Sequence, residues 1–389
     1  MKIEQRKWDR IHGWTPENPK DGMKSAHLVL IFGAGLLLKE KYLLQYIKDL
    51  YPQAHMFGCS TSGEIYGARV LDDSIVITAI SFEHTQIKNV HVQLNQVENS
   101  YQAGEYLARA LPLTLPSRTA NGEDTLVHVL ILSEGLKVNG SDLVRGLTSL
   151  LPNRIAVTGG LAGDDNQFRE TLVLGDGEPL KETIAVVGLY GSRLKIGFGS
   201  LGGWDSFGPE RLITKSKGNV LYELDGHSAL ELYKKYLGEH AKGLPATGLL
   251  FPLSIRNKSW NKGIVRTTLA VDENEHSMTF AGDVPEGSFA RFMKANFDRL
   301  IDGAIGAART SFQAIDSIAP QVAILISCVG RKLILKQRIE EEVEGVRDVF
   351  GAQTVLTGFY SNGEIAPLIP GATCELHNQS MTITTLLEE

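Results

Sequence analysis

Three short segments of this sequence end in a glycine followed by an acidic residue, a combination suited to binding a small polar molecule. They are residues 58–64 (GCSTSGE), 158–164 (TGGLAGD) and 358–364 (GFYSNGE). Each follows an apolar run that predicts a buried strand, so each places a glycine-rich turn and a carboxylate at the carboxyl end of a strand. Open α/β sheets bind ligands at that end of their strands. The three segments are therefore the first candidates for a functional site.

The spacing of the first and last segments matches the phosphate-binding loop, but their charge does not. Four residues separate Gly58 from Gly63, as in that loop, yet the next residue is Glu64, where phosphate binding needs a lysine. A carboxylate repels phosphate, so nucleotide hydrolysis is disfavoured. A plainer alternative is that the glycines only supply positive φ angles and the acids only cap a helix or a turn.

An amino acid would suit the predicted site, because its two charged groups match the two kinds of group in the turns. Its carboxylate would lie on the amides near Ser60 to Gly63, and its ammonium would pair with Glu64 or Glu364. Arg331 is a second candidate for binding the carboxylate, through both arms of its guanidinium. The predicted ligand-binding residues are Cys59, Ser60, Thr61, Ser62, Gly63, Glu64, Gly160, Asp164, Asp165, Arg331, Ser361, Asn362, Gly363 and Glu364.

A catalytic alternative rests on Cys59, which lies within the first segment. Its thiolate would be the nucleophile, favoured by the turn amides, and Glu64 would be the acid/base partner. No histidine lies beside Cys59 in the sequence to act as a base, and the charge of Glu64 opposes thiolate formation. We therefore predict a protein that is not an enzyme, with a Cys59-dependent enzyme as the alternative.

Length, composition and charge indicate a globular protein and argue against some classes of partner. A chain of 389 residues suits about two domains, and 43% hydrophobic with 22% charged residues is typical of a globular protein. A net charge of −6 with scattered basic residues argues against nucleic acid or an anionic membrane surface as the main partner. The sequence shows no secretory signal and no apolar run that would span a membrane, and its three cysteines lie far apart. We expect a cytoplasmic location.

The elements that carry the segments form an internal repeat. Four positions of one predicted helix and its stop recur 100 positions later: Leu43, Ile47, Leu50 and Pro52 match Leu143, Leu147, Leu150 and Pro152. We predict an α/β fold of two domains with mixed β-sheets flanked by helices, the N-terminal domain being internally duplicated. The predicted parts are an N-terminal arm (1–25), a domain with repeats at about 26–98 and 125–205 (26–222), and a second domain (223–389). Within them we expect a hairpin strand of the second repeat at Leu194 to Ser200, and one or two helices within 288–310.

Taken together, the motifs resemble the FIST sensory family. Residues 58–65 and 158–165 look like its N-terminal domain, 202–209 and 219–226 like the end of that domain, and 251–253, 358–367 and 377–382 like its C-terminal domain. The resemblance implies a cytoplasmic or membrane-attached input module that binds a small ligand, and amino acids have been proposed as ligands for the family. Because no output domain is recognised in the sequence, we expect the signal to pass to a separate protein.

The resemblance also implies a cofactor alternative. Stand-alone members of similar length include nitric-oxide-sensing haem proteins that regulate a histidine kinase. Haem needs an axial ligand, such as histidine, and an apolar slot, and the resemblance assigns no residue to that role. Among the ten histidines, His240, His227 and His55 are candidates, and we take His240 as the possible haem ligand. The prediction is a small-ligand sensor, with haem and nitric oxide as one version and an amino acid as the other.

Overall fold

The computed structural model describes residues 1–19, 23–117, 122–165, 167, 169–175, 177–257, 263–368 and 371–389. The described residues form four β-sheets flanked by helices. Three of the sheets, the central sheets, combine parallel and antiparallel strands. The predicted α/β fold with mixed sheets is therefore confirmed.

Three units of the chain share one arrangement. In each unit, a central strand runs parallel to the strand that follows its helix and antiparallel to a later strand on its other side. These central, parallel and antiparallel strands are Leu28–Gly33, His55–Ser60 and Ser74–Ser81 in the first unit, Glu123–Ser133, Ala156–Leu161 and Thr183–Tyr190 in the second, and Val322–Cys328, Val355–Ser361 and Met381–Glu388 in the third. The structure therefore contains the two predicted repeats and, late in the chain, a third copy of the same arrangement.

Each unit donates a short strand to the sheet of another unit. Glu64–Tyr66, which follows the first candidate turn, pairs with the parallel strand of the third unit. Gly363–Pro367, which follows the last candidate turn, pairs with the parallel strand of the second unit. Val173–Gly175 of the second unit pairs with the parallel strand of the first. The exchange is cyclic, so the three units surround a common centre.

A shared apolar core fills that centre. Phe32 of the first unit stacks on Phe359 of the third, with the ring centroids 4.8 Å apart, and Leu130 and Val187 of the second unit belong to the same core. Fully burying one such side chain contributes about 1.5–3 kcal/mol. The units therefore depend on one another for much of their apolar burial.

One glycine in each parallel strand lets neighbouring strands approach closely. A Cβ added to Gly58 would lie 1.9 Å from the carbonyl oxygen of Ile31, and one at Gly159 or Gly358 would lie 1.8 Å from the equivalent oxygen of its own central strand. No side chain fits at such distances, so glycine is required at all three places. This close packing accounts for one glycine in each of the three candidate segments.

Helices cover the opposite face of each central sheet. In the first unit, Leu43 and Ile47 of the helix share a cluster with Val29 and Ile31 of the central strand. The α-helices are Gly35–Leu38, Lys41–Leu50, Ser100–Ala110, Gly140–Ser149, Ala229–Leu237, Phe297–Gln313, Val329–Leu335 and Ile339–Phe350, and the 3-10 helices are Met23–Ser25, Leu94–Gln96, Gly238–Gly243, Ala246–Leu250 and Lys336–Arg338. Among the residues described, none of the helices has both the length and the apolar character needed to span a membrane.

Further strands complete the edges of the central sheets. The N-terminal arm contributes Lys2–Asp9 and Gly13–Thr15 as a hairpin, and Lys2–Asp9 pairs with the antiparallel strand of the first unit. The strand predicted at 194–200 exists as Leu194–Leu201, but it pairs with the last strand of the third unit rather than within the second repeat. The other edge strands are Arg69–Leu71, Gln86–Gln93, Thr114–Pro116, Glu178–Leu180 and Cys374–His377.

The fourth sheet, the outer sheet, is antiparallel and lies between residues 205 and 294. The helix expected within 288–310 exists as Phe297–Gln313, and before it burial alternates along Phe289–Lys294 as in a strand. The outer strands are Asp205–Lys217, Val220–Leu224, His227–Ser228, Leu253–Arg256, Ile264–Arg266, Thr268–Asp272, Ser277–Phe280 and Phe289–Lys294.

Candidate ligand-binding site

The three candidate turns meet at the common centre of the three units. The N–H of Gly163 donates to the oxygen of Ser60 at 2.9 Å, and Ser60 Oγ donates to the oxygen of Gly163 at 2.8 Å. The N–H of Ser62 donates to the oxygen of Tyr360, and the N–H of Tyr360 donates to the oxygen of Gly63, both at 2.9 Å. The turns therefore come from equivalent places, but the Ser62 and Gly163 amides bind neighbouring turns instead of a ligand carboxylate.

Glu64 and Glu364 are buried in two matching networks. Glu64 is 1% exposed and accepts hydrogen bonds from Thr61 Oγ1 at 2.5 Å and from Ser74 Oγ at 2.6 Å. Glu364 is buried and accepts from Ser361 Oγ at 2.7 Å. Burial raises the pKa of both carboxyls to about 8. At neutral pH both are mostly protonated, so neither supplies the negative charge that the amino-acid hypothesis assigns to it.

The second turn differs from the other two, because its acid caps a loop. Asp164 Oδ2 accepts the N–H groups of Arg169 at 2.6 Å and Glu170 at 2.9 Å. Asp165 is exposed, and its backbone oxygen accepts a hydrogen bond from a serine hydroxyl of the first turn at 3.0 Å. The three acids thus occupy separate networks.

Arg331 is enclosed, and each of its three guanidinium nitrogens donates at least one hydrogen bond. Its Nε and Nη2 donate to Glu342 Oε2 at 3.1 and 2.7 Å, and both side chains are completely buried. Nη1 donates to the carbonyl oxygen of Gly202 at 2.7 Å, and Nη2 also donates to that of Leu300 at 2.6 Å. This corrects the expectation that Arg331 clamps a ligand, because Glu342 already provides the carboxylate that it binds.

Cys59 lies within the shared core. Its side chain is 0% exposed, and burial raises the pKa of its thiol well above the usual value. A thiol nucleophile needs the thiolate and access to substrate. Both properties therefore oppose the catalytic alternative.

We expect Cys59 in the folded protein to react with iodoacetamide on the order of 100-fold more slowly than in urea-unfolded protein, because unfolding must first expose the buried thiol. Mass spectrometry of the Cys59 peptide after timed labelling would measure both rates. Labelling of the folded protein within minutes would contradict this and would restore Cys59 as a candidate nucleophile.

A large cavity, the main cavity, lies between the second unit, the third unit and the outer sheet. Its volume is about 910 Å³, within the range of small-molecule sites. Its walls are largely apolar and include Leu136, Leu161, Leu249, Leu250, Phe280 and Ile334. The cavity can therefore bury the apolar body of a small ligand.

Asn362 is the predicted site residue that lines the main cavity. Its Nδ2 donates to the oxygen of Gly135 at 3.4 Å, whereas its Oδ1 is buried and accepts no hydrogen bond from the described residues. An unpaired buried acceptor costs about 1–3 kcal/mol unless a ligand or water donates to it. The neighbouring predicted residues Gly160 and Gly363 lie in paired strands. Asn362 is therefore the residue of the last turn that lines the main cavity and carries an unpaired acceptor.

Lysines supply the charge of the main cavity. Lys137 and Lys336 line it, and no acidic residue occurs among its described lining residues. Lys137 is paired with Glu182, whereas the ammonium of Lys336 contacts no partner in the described part of the chain. The charge of the cavity favours an anionic group on the ligand.

Residues 135–139 form one wall of the main cavity, and the sequence prediction does not include them. Glu134 is 3% exposed, and its carboxylate accepts the N–H groups of Leu136 at 2.8 Å and Lys137 at 2.6 Å. This acid therefore fixes the shape of the wall. One signal in the sequence could have identified this wall. Glu134-Gly135 follows a predicted strand, as the candidate segments do, but its acid comes before its glycine.

The main cavity does not fit haem. None of its described lining residues is histidine, cysteine, methionine or tyrosine, the usual axial ligands. His240 lies outside that lining, exposed on the 3-10 helix Gly238–Gly243 with its ring 5.2 Å from that of Phe251. His227 and His55 are exposed as well. No group of three or more histidine, cysteine or acidic residues suited to a metal occurs in the described ranges.

Comparison with known proteins gives matches along most of the chain. The FIST N domain model matches residues 27–227, and the FIST C domain model matches residues 229–367. An uncharacterized protein of Methanocaldococcus jannaschii is 23% identical over 353 residues, which is 83% of this chain and 64% of that protein. The chain thus spans somewhat less than two thirds of the length of this relative.

Two solved structures align over nearly the whole chain at low similarity. A chorismatase has a TM-score of 0.33 and 10% identity, covering 99% of this chain and 98% of the other. A cyanuric acid hydrolase from A. caulinodans has a TM-score of 0.35 and 8% identity, covering 100% and 99%. Such scores carry no conclusion about shared fold or activity.

Proposed function

The chain belongs to the FIST family, and on that premise we propose that it is a sensor that binds, in the main cavity, a small organic molecule with a carboxylate group. FIST domains are signal-transduction sensor modules. The observation that carries the proposal is the apolar cavity of about 910 Å³ with lysines and no acid among its described lining residues. A ligand with an apolar body and one acidic group matches those walls.

An amino acid with an apolar side chain is the ligand class that we favour. Its carboxylate would pair with Lys336, and its ammonium would donate to the unpaired Oδ1 of Asn362. The side chain would pack against leucines such as Leu249 and Leu250. This placement keeps the ligand class expected from the sequence but moves the ligand from the closed turns to the cavity beside the last turn.

The position of the main cavity suggests how binding would be transmitted. Its walls combine residues 135–139 of the second unit, residues of the outer sheet, and Leu333, Ile334 and Lys336 of the third unit. A ligand that contacts all three stabilises one arrangement of these parts over others. We propose that a separate signalling protein, such as a histidine kinase, reads that arrangement.

We expect leucine, isoleucine or phenylalanine as free amino acids to raise the unfolding temperature of the protein by several degrees. A ligand at about 100 times its Kd adds about 2.7 kcal/mol to the free energy of unfolding. The variants Asn362→Leu and Lys336→Gln should each weaken binding by about tenfold, the effect of losing one hydrogen bond or ion pair. Thermal-shift titrations would measure both effects.

Lys242→Gln is the matched control, because Lys242 is exposed and pairs with Glu239 outside the cavity lining. It should bind like the unchanged protein. The proposal fails if no apolar amino acid or related carboxylate shifts the unfolding temperature, or if Asn362→Leu and Lys336→Gln bind as the control does. A Soret band in protein supplied with haem, shifted by nitric oxide, would favour the haem version instead.

A further inference from the structure

Four leucines that line the main cavity have no place in the apolar cores of the fold. They are Leu136, Leu249, Leu269 and Leu333. Within the described residues, none of them belongs to an apolar core cluster or packs against one. All four are at least partly exposed, and Leu269 is 43% exposed. Leucines that folding leaves open to solvent, gathered in one cavity, indicate a surface that binds an apolar ligand.

These leucines come from separate parts of the fold. Leu136 belongs to the second unit, and Leu333 lies on a helix of the third unit. Leu269 lies on a strand of the outer sheet, and Leu249 lies on a 3-10 helix that contacts that strand. The apolar surface of the main cavity is therefore built from the same three parts of the fold that a bound ligand would join.

The lysines of the main cavity belong to only two of its three walls. Lys137 follows Leu136 in the second unit, and Lys336 lies three residues after Leu333, just beyond the end of its helix. The wall formed within residues 219–282 has no charged side chain among its described lining residues. The cavity thus has cationic walls and one uncharged wall, which suits a ligand with a charged head and an apolar chain.

The main cavity is large for a free amino acid. Its volume of about 910 Å³ lies near the upper end of the range of about 300–1,000 Å³ for sites of drug-sized ligands. The short side chain of a free leucine would cover only part of its walls. Aromatic ligands gain from stacking on aromatic side chains, and Phe280 is the single aromatic residue in the described lining. A flexible aliphatic chain therefore matches these walls better than an aromatic ring.

We propose that the ligand of the main cavity is a carboxylate with an unbranched aliphatic chain of about eight to ten carbons, as in a fatty acid or an N-acyl amino acid. This inference rests on the proposed function, because it keeps the same cavity and the same carboxylate and names a longer apolar body. The carboxylate would pair with Lys336, and the chain would cover Leu249 and Leu269. Each methylene group that leaves water for these walls strengthens binding by about fourfold.

A series of chain lengths tests the inference. Isothermal titration calorimetry would compare hexanoate, octanoate, decanoate and free leucine. We expect the Kd to fall by about tenfold for each two carbons added, and decanoate to bind at least about tenfold more tightly than leucine. N-octanoylglycine separates the two sources of such a chain. Binding tighter than that of decanoate indicates an acyl amino acid, and weaker binding indicates a free fatty acid.

Two variants locate the chain in the main cavity. Leu269→Gln and Leu333→Gln each replace a leucine that lies outside the core clusters, so neither should unfold the protein. Each should weaken decanoate binding at least about threefold, because a polar side chain replaces part of the apolar wall. Leu212→Gln is the matched control, since Leu212 is 38% exposed on another strand of the outer sheet and is absent from the described cavity lining. This variant should bind decanoate like the unchanged protein.

The inference is overturned if decanoate binds no more tightly than hexanoate, or if both cavity variants bind decanoate as Leu212→Gln does. If free leucine still binds in either case, and binds more weakly to Lys336→Gln, the proposed function stands without the longer chain. If neither leucine nor any member of the series binds, both proposals fail, which leaves a segment of another protein as the occupant of the cavity. Binding of decanoate without binding of leucine supports the longer chain and removes the free amino acid as the ligand.

Discussion

Replacing Arg331 with leucine is expected to lower the free energy of unfolding by about 3–5 kcal/mol, because it leaves a buried carboxylate without its cation. Arg331 and Glu342 are both 0% exposed, and Arg331 Nη2 lies 2.7 Å from Glu342 Oε2. The other carboxylate oxygen, Oε1, accepts from Ser327 Oγ at 3.0 Å and from Tyr360 Oη at 2.9 Å. Removing the arginine therefore disturbs a network that joins the helices Val329–Leu335 and Ile339–Phe350 to the central sheet of the third unit. Urea denaturation followed by circular dichroism would measure the loss.

Arg338→Leu is the matched control for Arg331→Leu. Arg338 pairs with Asp298 and Glu341, but its side chain is 40% exposed, and solvent-exposed pairs add little to stability. We expect a much smaller loss in this variant. If Arg331→Leu were as stable as the control but bound the ligand more weakly, Arg331 would be a binding residue, as the sequence suggested.

The free energy of unfolding is expected to fall by about 3 kcal/mol between pH 6.5 and pH 8, because Glu64 and Glu364 are protonated in the folded state. Their folded pKa is about 8, above the ordinary value of 4.5. The folded state thus holds more protons than the unfolded chain over this range, so raising the pH favours unfolding. At pH 8 each of these carboxyls is half ionised, so the last part of its contribution, roughly 0.4 kcal/mol, is lost over about the next pH unit.

Two buried histidines limit the useful pH window. Burial lowers the pKa of His128 to about 3 and that of His377 to about 4. A histidine with a depressed folded pKa stabilises the protein increasingly as pH rises through 6.5, its ordinary value, and adds only about 0.4 kcal/mol more above it. Below pH 6.5 the two effects oppose each other. The carboxyls therefore dominate the pH dependence between pH 6.5 and pH 8.

The double variant Glu64→Gln and Glu364→Gln tests the assignment, because glutamine resembles the protonated acid in shape and cannot ionise. In urea denaturation its stability should not fall from pH 6.5 to pH 8, and it should rise by less than about 1 kcal/mol through the two histidines. Glu239→Gln is the control, since the side chain of Glu239 is 88% exposed, and it should keep the original slope. An unchanged slope in the double variant would show that other groups cause the pH dependence.

Local sequence patterns were enough to predict the repeating part of the fold. The matches of Leu43 with Leu143 and of Pro52 with Pro152 reflect helices in equivalent positions. The strands donated between units could not be predicted in the same way. Leu194–Leu201 has the pattern of a strand, but nothing in its own residues specifies pairing with Met381–Glu388. Pairing partners distant in sequence are set by the packing of the whole chain.

In the site, too, the residue in a local motif was predicted, whereas residues brought together from distant parts of the chain were not. Asn362 was predicted because it lies in a repeated turn, and it does line the main cavity. Lys336 and the wall at 135–139 were missed because they reach the cavity from separate parts of the chain. Arg331 was assigned to a ligand because its sequence position does not reveal Glu342, which lies on the next α-helix.

The cyclic exchange of strands has a consequence for protein synthesis. The strand Ala156–Leu161 has its edge covered by Gly363–Pro367, which the ribosome makes about 200 residues later. At about 5–20 residues per second, this delay is roughly 10–40 s. Throughout that time the nascent chain carries a strand edge that can pair with other chains. We expect chaperones that hold nascent chains to determine how much of this protein reaches the folded state in a cell.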